Sequence, residues 1–169
     1  MNNYLGSLAG IKFNGMFRQL GLIILNFGEP VTATLHVGCM LRICKADKIL
    51  LTDSDEFLKA DGISKTEEDY VRLEEEEYIN DTNSLLAKNL DLVNDLLKNK
   101  VVKKVKVSSY QDLEIVFDDE VVIQILPDSL EKGTEYYRYI KFVPHIDDAD
   151  YKSEHYVIHN FEGRPMLKG

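Results

Sequence analysis

Apolar and polar residues alternate along two stretches of this chain and recur at helical spacing in a third. Val31, Ala33, Leu35 and Val37 alternate with Thr32, Thr34 and His36, the period of a half-buried strand. Leu20 to Phe27 precedes it and ends at Gly28-Glu29-Pro30, a turn signal, so the pair predicts a hairpin within a β block over 10–51. A second β block spans 101–161. There Val101, Val105 and Val107 lead to a break at Ser108-Ser109. Leu113, Ile115 and Phe117 then alternate up to Asp118-Asp119-Glu120, and Val121, Ile123 and Ile125 alternate beyond it. In a strand from Thr134 to Val143, Tyr136, Arg138, Ile140 and Phe142 share one face; Tyr137, Tyr139, Lys141 and Val143 share the other. His155 to Phe161 predicts a closing strand, and 162–169 a loose tail.

Between the blocks lies a helical middle, 52–99. Leu86, Leu90, Val93 and Leu97 follow helical spacing, and Leu85, Leu92 and Leu96 widen the same face. Asp81 or Thr82 is placed to cap the start, and Lys98 and Lys100 to complement the dipole at the end. Upstream, Ser64-Lys-Thr-Glu67 has the form of a capping box, with Tyr70 and Leu73 as anchors for a short helix.

The β blocks can be laid over each other ninety residues apart. Ile11 then falls on Val101, Phe17 on Val107, Ile23 on Leu113, Leu25 on Ile115 and Phe27 on Phe117. The turn at 28–30 falls on 118–120, and Val31, Ala33 and Leu35 fall on Val121, Ile123 and Ile125. After a six-residue insertion, Leu41-Arg42-Ile43 falls on Tyr137-Arg138-Tyr139. The expected fold is one α+β domain over 1–169. Two antiparallel meander-like blocks form one sheet or a half-open barrel, with the central amphipathic helix packed on it and an internal duplication as one reading of the overlay.

Charge adds one local feature. Thr52 to Asp81 holds twelve acids against Lys59, Lys65 and Arg72, so its net charge of −9 equals that of the whole chain. Such a field steers a basic partner. The residues expected to meet it are Glu67, Glu68, Asp69, Glu74, Glu75, Glu76 and Glu77. Nucleic acid is disfavoured, because phosphate contacts need a basic surface. Lys98, Lys100, Lys103, Lys104 and Lys106 read as a helix end and the solvent face of an edge strand.

Several chemistries find no support. Gly10 and Gly15 open no helix, so neither a dinucleotide fingerprint nor a phosphate loop is present. There is no Gly-x-Ser-x-Gly elbow. His155 and His159 on one strand would stand roughly 13 Å apart, too far to share an ion. His145 reaches neither without a fold-back, and Asp147-Asp-Ala-Asp150 lacks the glycine and distal Glu of a calcium loop. Cys39 and Cys44, five apart in a strand-like segment, face opposite sides and read as structural thiols. No metal, cofactor or catalytic residue is expected. The longest apolar run, Leu20 to Leu25, is far short of a membrane span, and the start carries no basic-then-apolar leader, so the expected compartment is the cytoplasm.

Asp112-Leu-Glu-Ile-Val-Phe117, Val121 to Ile125, the strand Tyr137-Arg138-Tyr139-Ile140 and a closing His-bearing strand together resemble a class of small bacterial proteins with an aromatic-Arg strand, some of them immunity proteins encoded beside secreted toxins. The resemblance implies a non-enzymatic protein-binding module and carries no catalytic residues. An alternative expectation is a small-molecule module whose pocket, between the β blocks, is lined by Tyr136, Arg138 and Phe142.

Overall fold

The structure is a computed structural model describing residues 4–69, 83–128, 134–144, 151–159 and 166–168. A 3-10 turn, η1 (Leu5–Leu8), leads into β1 (Phe13–Gln19), β2 (Leu22–Phe27), β3 (Ala33–Val37), β4 (Met40–Lys45) and β5 (Lys48–Thr52). A second 3-10 turn, η2 (Asp53–Phe57), and the helix α1 (Leu85–Leu97) follow. Then come β6 (Val102–Val107), β7 (Leu113–Phe117), β8 (Val121–Leu126), β9 (Glu135–Pro144), β10 (Tyr151–His159) and β11 (Met166–Lys168). The predicted strands and the Leu85–Leu97 helix are present as far as the described residues extend. The tail differs: Met166–Lys168 pairs with β10 as a short strand.

The described strands form two antiparallel sheets, where the sequence suggests one sheet or a half-open barrel. Sheet one runs β1-β2-β3-β9-β10-β11, and sheet two runs β5-β4-β8-β7-β6. Each three-stranded meander is thus completed by the hairpin of the other block: β9–β10 joins β3, and β4–β5 joins β8. Period-two alternation fixes which side of a strand is apolar but not which strand it meets, so this exchange is invisible in the pattern.

The pairing registers of the two sheets correspond closely. Phe27, opposite Phe13 and Ala33, has its counterpart in Phe117, opposite Val102 and followed across a shorter turn by Val121. β1 and β6 each carry a bulge at the same point, skipping Asn14 and Lys103. Leu35 meets Leu25 and Tyr139, and Ile123 meets Ile115 and Ile43, so Leu41-Arg42-Ile43 does correspond to Tyr137-Arg138-Tyr139. The overlay needs three corrections, the first being that Ile11 corresponds to Lys100 and Lys12 to Val101. Ala33 corresponds to Val121, because the turn 28–32 is two residues longer than 118–120, and Phe17 corresponds to Lys106. That longer turn requires Gly28: at its φ of +90°, a Cβ would come within 2.3 Å of Thr32 Oγ1.

The sheets meet where β1 and β6 begin. Phe13 N–H donates to Lys100 O (2.8 Å) and Val102 N–H to Ile11 O (2.9 Å), around a bridge between Lys12 and Val101. Each bond is the counterpart of the other. Phe13 meets Phe27 of its own sheet and Phe117 of the other edge-on, each at 5.9 Å, and one core is shared by both inner faces.

Helix α1 buries Leu86, Leu90, Val93 and Leu97 against that core; a fully buried leucine contributes about 1.5–3 kcal/mol. Leu92 is 59% exposed, so the apolar face is narrower than the spacing suggests. Ser84 caps the helix, accepting from Ala87 N–H (3.1 Å), while Asp81 and Thr82 lie outside the described residues. Asn94 fastens the helix to edge strand β1. It accepts from Met16 N–H (2.8 Å) and donates to Met16 O (2.9 Å), satisfying backbone groups that an edge would leave open.

Candidate functional site

The acidic segment divides into a part used by the fold and a part that is not. Asp53 accepts from Leu41 N–H, and Asp55 from Thr52 and from Asn89 of α1. Glu56 pairs with Arg18, and Asp61 accepts from Ile63 N–H. Residues 67–69 are helical, but the cap is Thr66 with Asp69, not Ser64 with Glu67: Thr66 N–H and Oγ1 both donate to Asp69 Oδ2 at 2.8 Å. Thr66 N–H, then Lys59 at 2.9 Å, hold the Asp69 carboxyl well below the usual carboxylate range. Five of the seven described acids here are therefore engaged within the chain. Glu67 and Glu68 are exposed and have no partner among the described residues. Glu74, Glu75, Glu76 and Glu77 lie outside the described residues, as do Tyr70, Leu73, His145 and the acids at 147–150.

The residues of the alternative pocket are not brought together between the sheets. β10 opposes Ile158 to Tyr137 and His159 to Glu135, so Tyr136 is skipped as a bulge and leaves the strict alternation. Tyr136 joins the core with Tyr137 and Tyr139. Arg138 and Phe142 stay on the outer face of sheet one. Arg138 is clasped by its own strand, donating from Nε (3.0 Å) and Nη2 (2.7 Å) to both oxygens of Glu135. The bulge brings that i, i+3 carboxylate into range.

Burial raises the pKa of several tyrosines and of one thiol. Desolvation pushes Tyr137 upward, and its hydroxyl donates to Gln111 O (3.1 Å), tying β9 to sheet two. Tyr4, stacked on Tyr156 at 4.3 Å, is raised to about 12. Cys39 lies in the crossover between β3 and β4, buried, with its thiol pushed to about 12, so it is no thiolate nucleophile. Cys44 is free and half-buried on β4. Among the described residues no group of three or more His, Cys, Asp or Glu side chains converges, and no helix is long and apolar enough to cross a membrane.

The outer faces carry a feature that the pattern reading missed. On sheet two, Lys106, Glu114, Gln124 and Arg42 lie side by side on β6, β7, β8 and β4. Lys106 Nζ donates to Glu114 (2.6 Å), Gln124 Nε2 to Glu114 (3.0 Å) and Arg42 Nε to Gln124 (2.6 Å). The corresponding row of sheet one is Phe17, Ile24, His36 and Arg138. Ile24, Ile140 and Val157 on this outer face are buried apolar residues that stand apart from the shared core. A shallow cleft of about 420 Å³ opens there, lined by Phe17, Ile24, Val31, Thr34, His36 and Phe142. One sequence signal points to it: Leu22, Ile23, Ile24 and Leu25 are apolar without alternation, as in a strand covered on both faces. Burial and the Arg138 guanidinium lower the His36 pKa. Thr34 is 6% exposed, and its hydroxyl has no hydrogen-bond partner among the described residues.

Comparison with protein-family models, curated proteins and solved structures gives no match to this chain.

Proposed function

We propose that the chain is a non-enzymatic binding protein that engages a basic protein, such as a toxin it neutralises, through the acidic surface beginning at Glu67. The observation that carries this reading is the division of the acids. Those before Glu67 are consumed by caps, backbone contacts and ion pairs, whereas Glu67 and Glu68 stand exposed and without a partner among the described residues. Four further glutamates follow within ten residues. A concentrated field of one sign accelerates association with a basic partner by about 10- to 10³-fold.

The test is stopped-flow association with the product of a toxin gene adjoining this one. Replacing Glu67, Glu68 and Glu74 to Glu77 by glutamine is expected to slow association by at least ~10-fold and to flatten its salt dependence. Rates indifferent to both the substitutions and salt would overturn the reading.

The same proposal extends to the chain's origin. Two copies of a meander-plus-hairpin unit, fused through the acidic middle with their hairpins exchanged, would form a half-open barrel around a shared core. The matched bulges in β1 and β6 and the reciprocal bonds at Lys12 and Val101 support this duplication.

A further inference from the structure

We propose that the cleft on the outer face of sheet one binds a small, uncharged aromatic molecule bearing a hydrogen-bonding group. This site is separate from the acidic surface and does not depend on the reading given to it.

The sister face is the internal reference. The row on sheet two shows how these positions are filled when they face water: four polar side chains, each bound to the next. On sheet one the same backbone carries Phe17, 42% exposed, beside Ile24, and Phe142 and Val31 extend the apolar wall. The volume of about 420 Å³ lies in the range of small-ligand sites, which are mostly apolar with a few placed polar groups. Those groups are Thr34, His36, Asn26 and Gln19.

The chemistry of the lining selects the ligand. Among the described residues no carboxylate, lysine or arginine lines the cleft, and Arg138, the nearest cation in the row, is already clasped by Glu135. An ionised ligand would lose its hydration there without a counter-charge, which is strongly unfavourable. A flat ring covers Phe17, Ile24 and Phe142, and a polar substituent meets the neutral donors and acceptors of the floor. The Thr34 hydroxyl is a hydrogen-bonding group that the described residues leave unspent.

The test is an NMR titration of the full chain with p-cresol, set beside toluene, which lacks the hydroxyl, and p-toluate, which is charged. The expected result is saturable shifts confined to Ile24, Val31, Thr34, His36 and Phe142. Affinity for toluene should be about 3- to 10-fold weaker, and p-toluate should leave the spectrum unchanged. Phe17→Lys, copying the lysine of the sister row at an exposed position, should weaken p-cresol binding by at least ~5-fold while the remaining signals keep their positions. Glu67→Gln with Glu68→Gln should leave p-cresol binding unchanged. Absence of saturable shifts up to about 10 mM, p-toluate binding as tightly as p-cresol, or Phe17→Lys binding like the parent would each overturn the proposal.

Discussion

On the outer face of sheet two, Lys106, Glu114, Gln124 and Arg42 reach across four strands, each bound to its neighbour. At the corresponding positions of sheet one stand Phe17, Ile24, His36 and Arg138, and only the arginine is shared. The backbones carry the same pairing, so the difference is chemical. A solvated row satisfies its charges within itself, and Arg42 is held by an amide. In sheet one the arginine has lost that neighbour and turned to Glu135, reached through the bulge at Tyr136. What the pair teaches is that exposure on a sheet is not one environment. One face is finished against water; the other holds apolar groups outside the core and a hydroxyl with no partner among the described residues.

Truncating matched members of the two rows tests this most strongly. Ile24→Ala is expected to cost about 2–4 kcal/mol in denaturant unfolding, as for a buried core isoleucine. Glu114→Ala, at the matching position, should cost under about 1 kcal/mol, because its partners stay solvated. Equal costs would show that the two faces are alike. The next effect has the opposite sign. Thr34→Val removes a shielded hydroxyl without a partner and should stabilise the fold by about 1 kcal/mol. A loss of that size would mean that the hydroxyl is bonded. Phe17→Lys should change stability by less than about 0.5 kcal/mol, since the ring is already half in water.

How far the sequence discloses this molecule depends on the kind of information each element needs. Alternation at Leu113, Ile115 and Phe117 marks strand faces, and the Leu86-to-Leu97 spacing marks a helix face, because both depend on local periodicity. The match of Arg42 to Arg138 is likewise readable and agrees with the registers. Exchange of the hairpins is not, since partner choice is set by tertiary contacts far apart in the chain. Tyr136 is misplaced for a related reason: a bulge shifts the phase by one residue without a local signature, moving a ring from the outer face to the core. Among the candidate site residues, Asp69 reads as one acid among many until Thr66 and Lys59 are seen around it. The outer cleft is legible only through the unbroken apolar run at Leu22 to Leu25.

The smallest expected effect, and the finest comparison of the rows, is titration. His36 and Gln124 occupy matching positions, and only His36 changes charge near neutrality. Its folded pKa is lowered first by burial, then by Arg138, with His155 acting in the same direction and Glu135 against it. Below the ordinary value of 6.5, the unfolded chain therefore binds a proton that the folded chain resists. The stability linked to this group is complete above about 6.5 and is lost as pH falls from there through the lower folded pKa. Urea unfolding of the parent and of His36→Gln, followed across that window, isolates the effect, because every other titrating group is common to both. The parent should lose stability relative to the variant as pH falls, and the variant, carrying the glutamine of the sister row, should lack this component. Parallel curves would mean that the imidazole is as hydrated as an open side chain, and that the outer face of sheet one is finished against water after all.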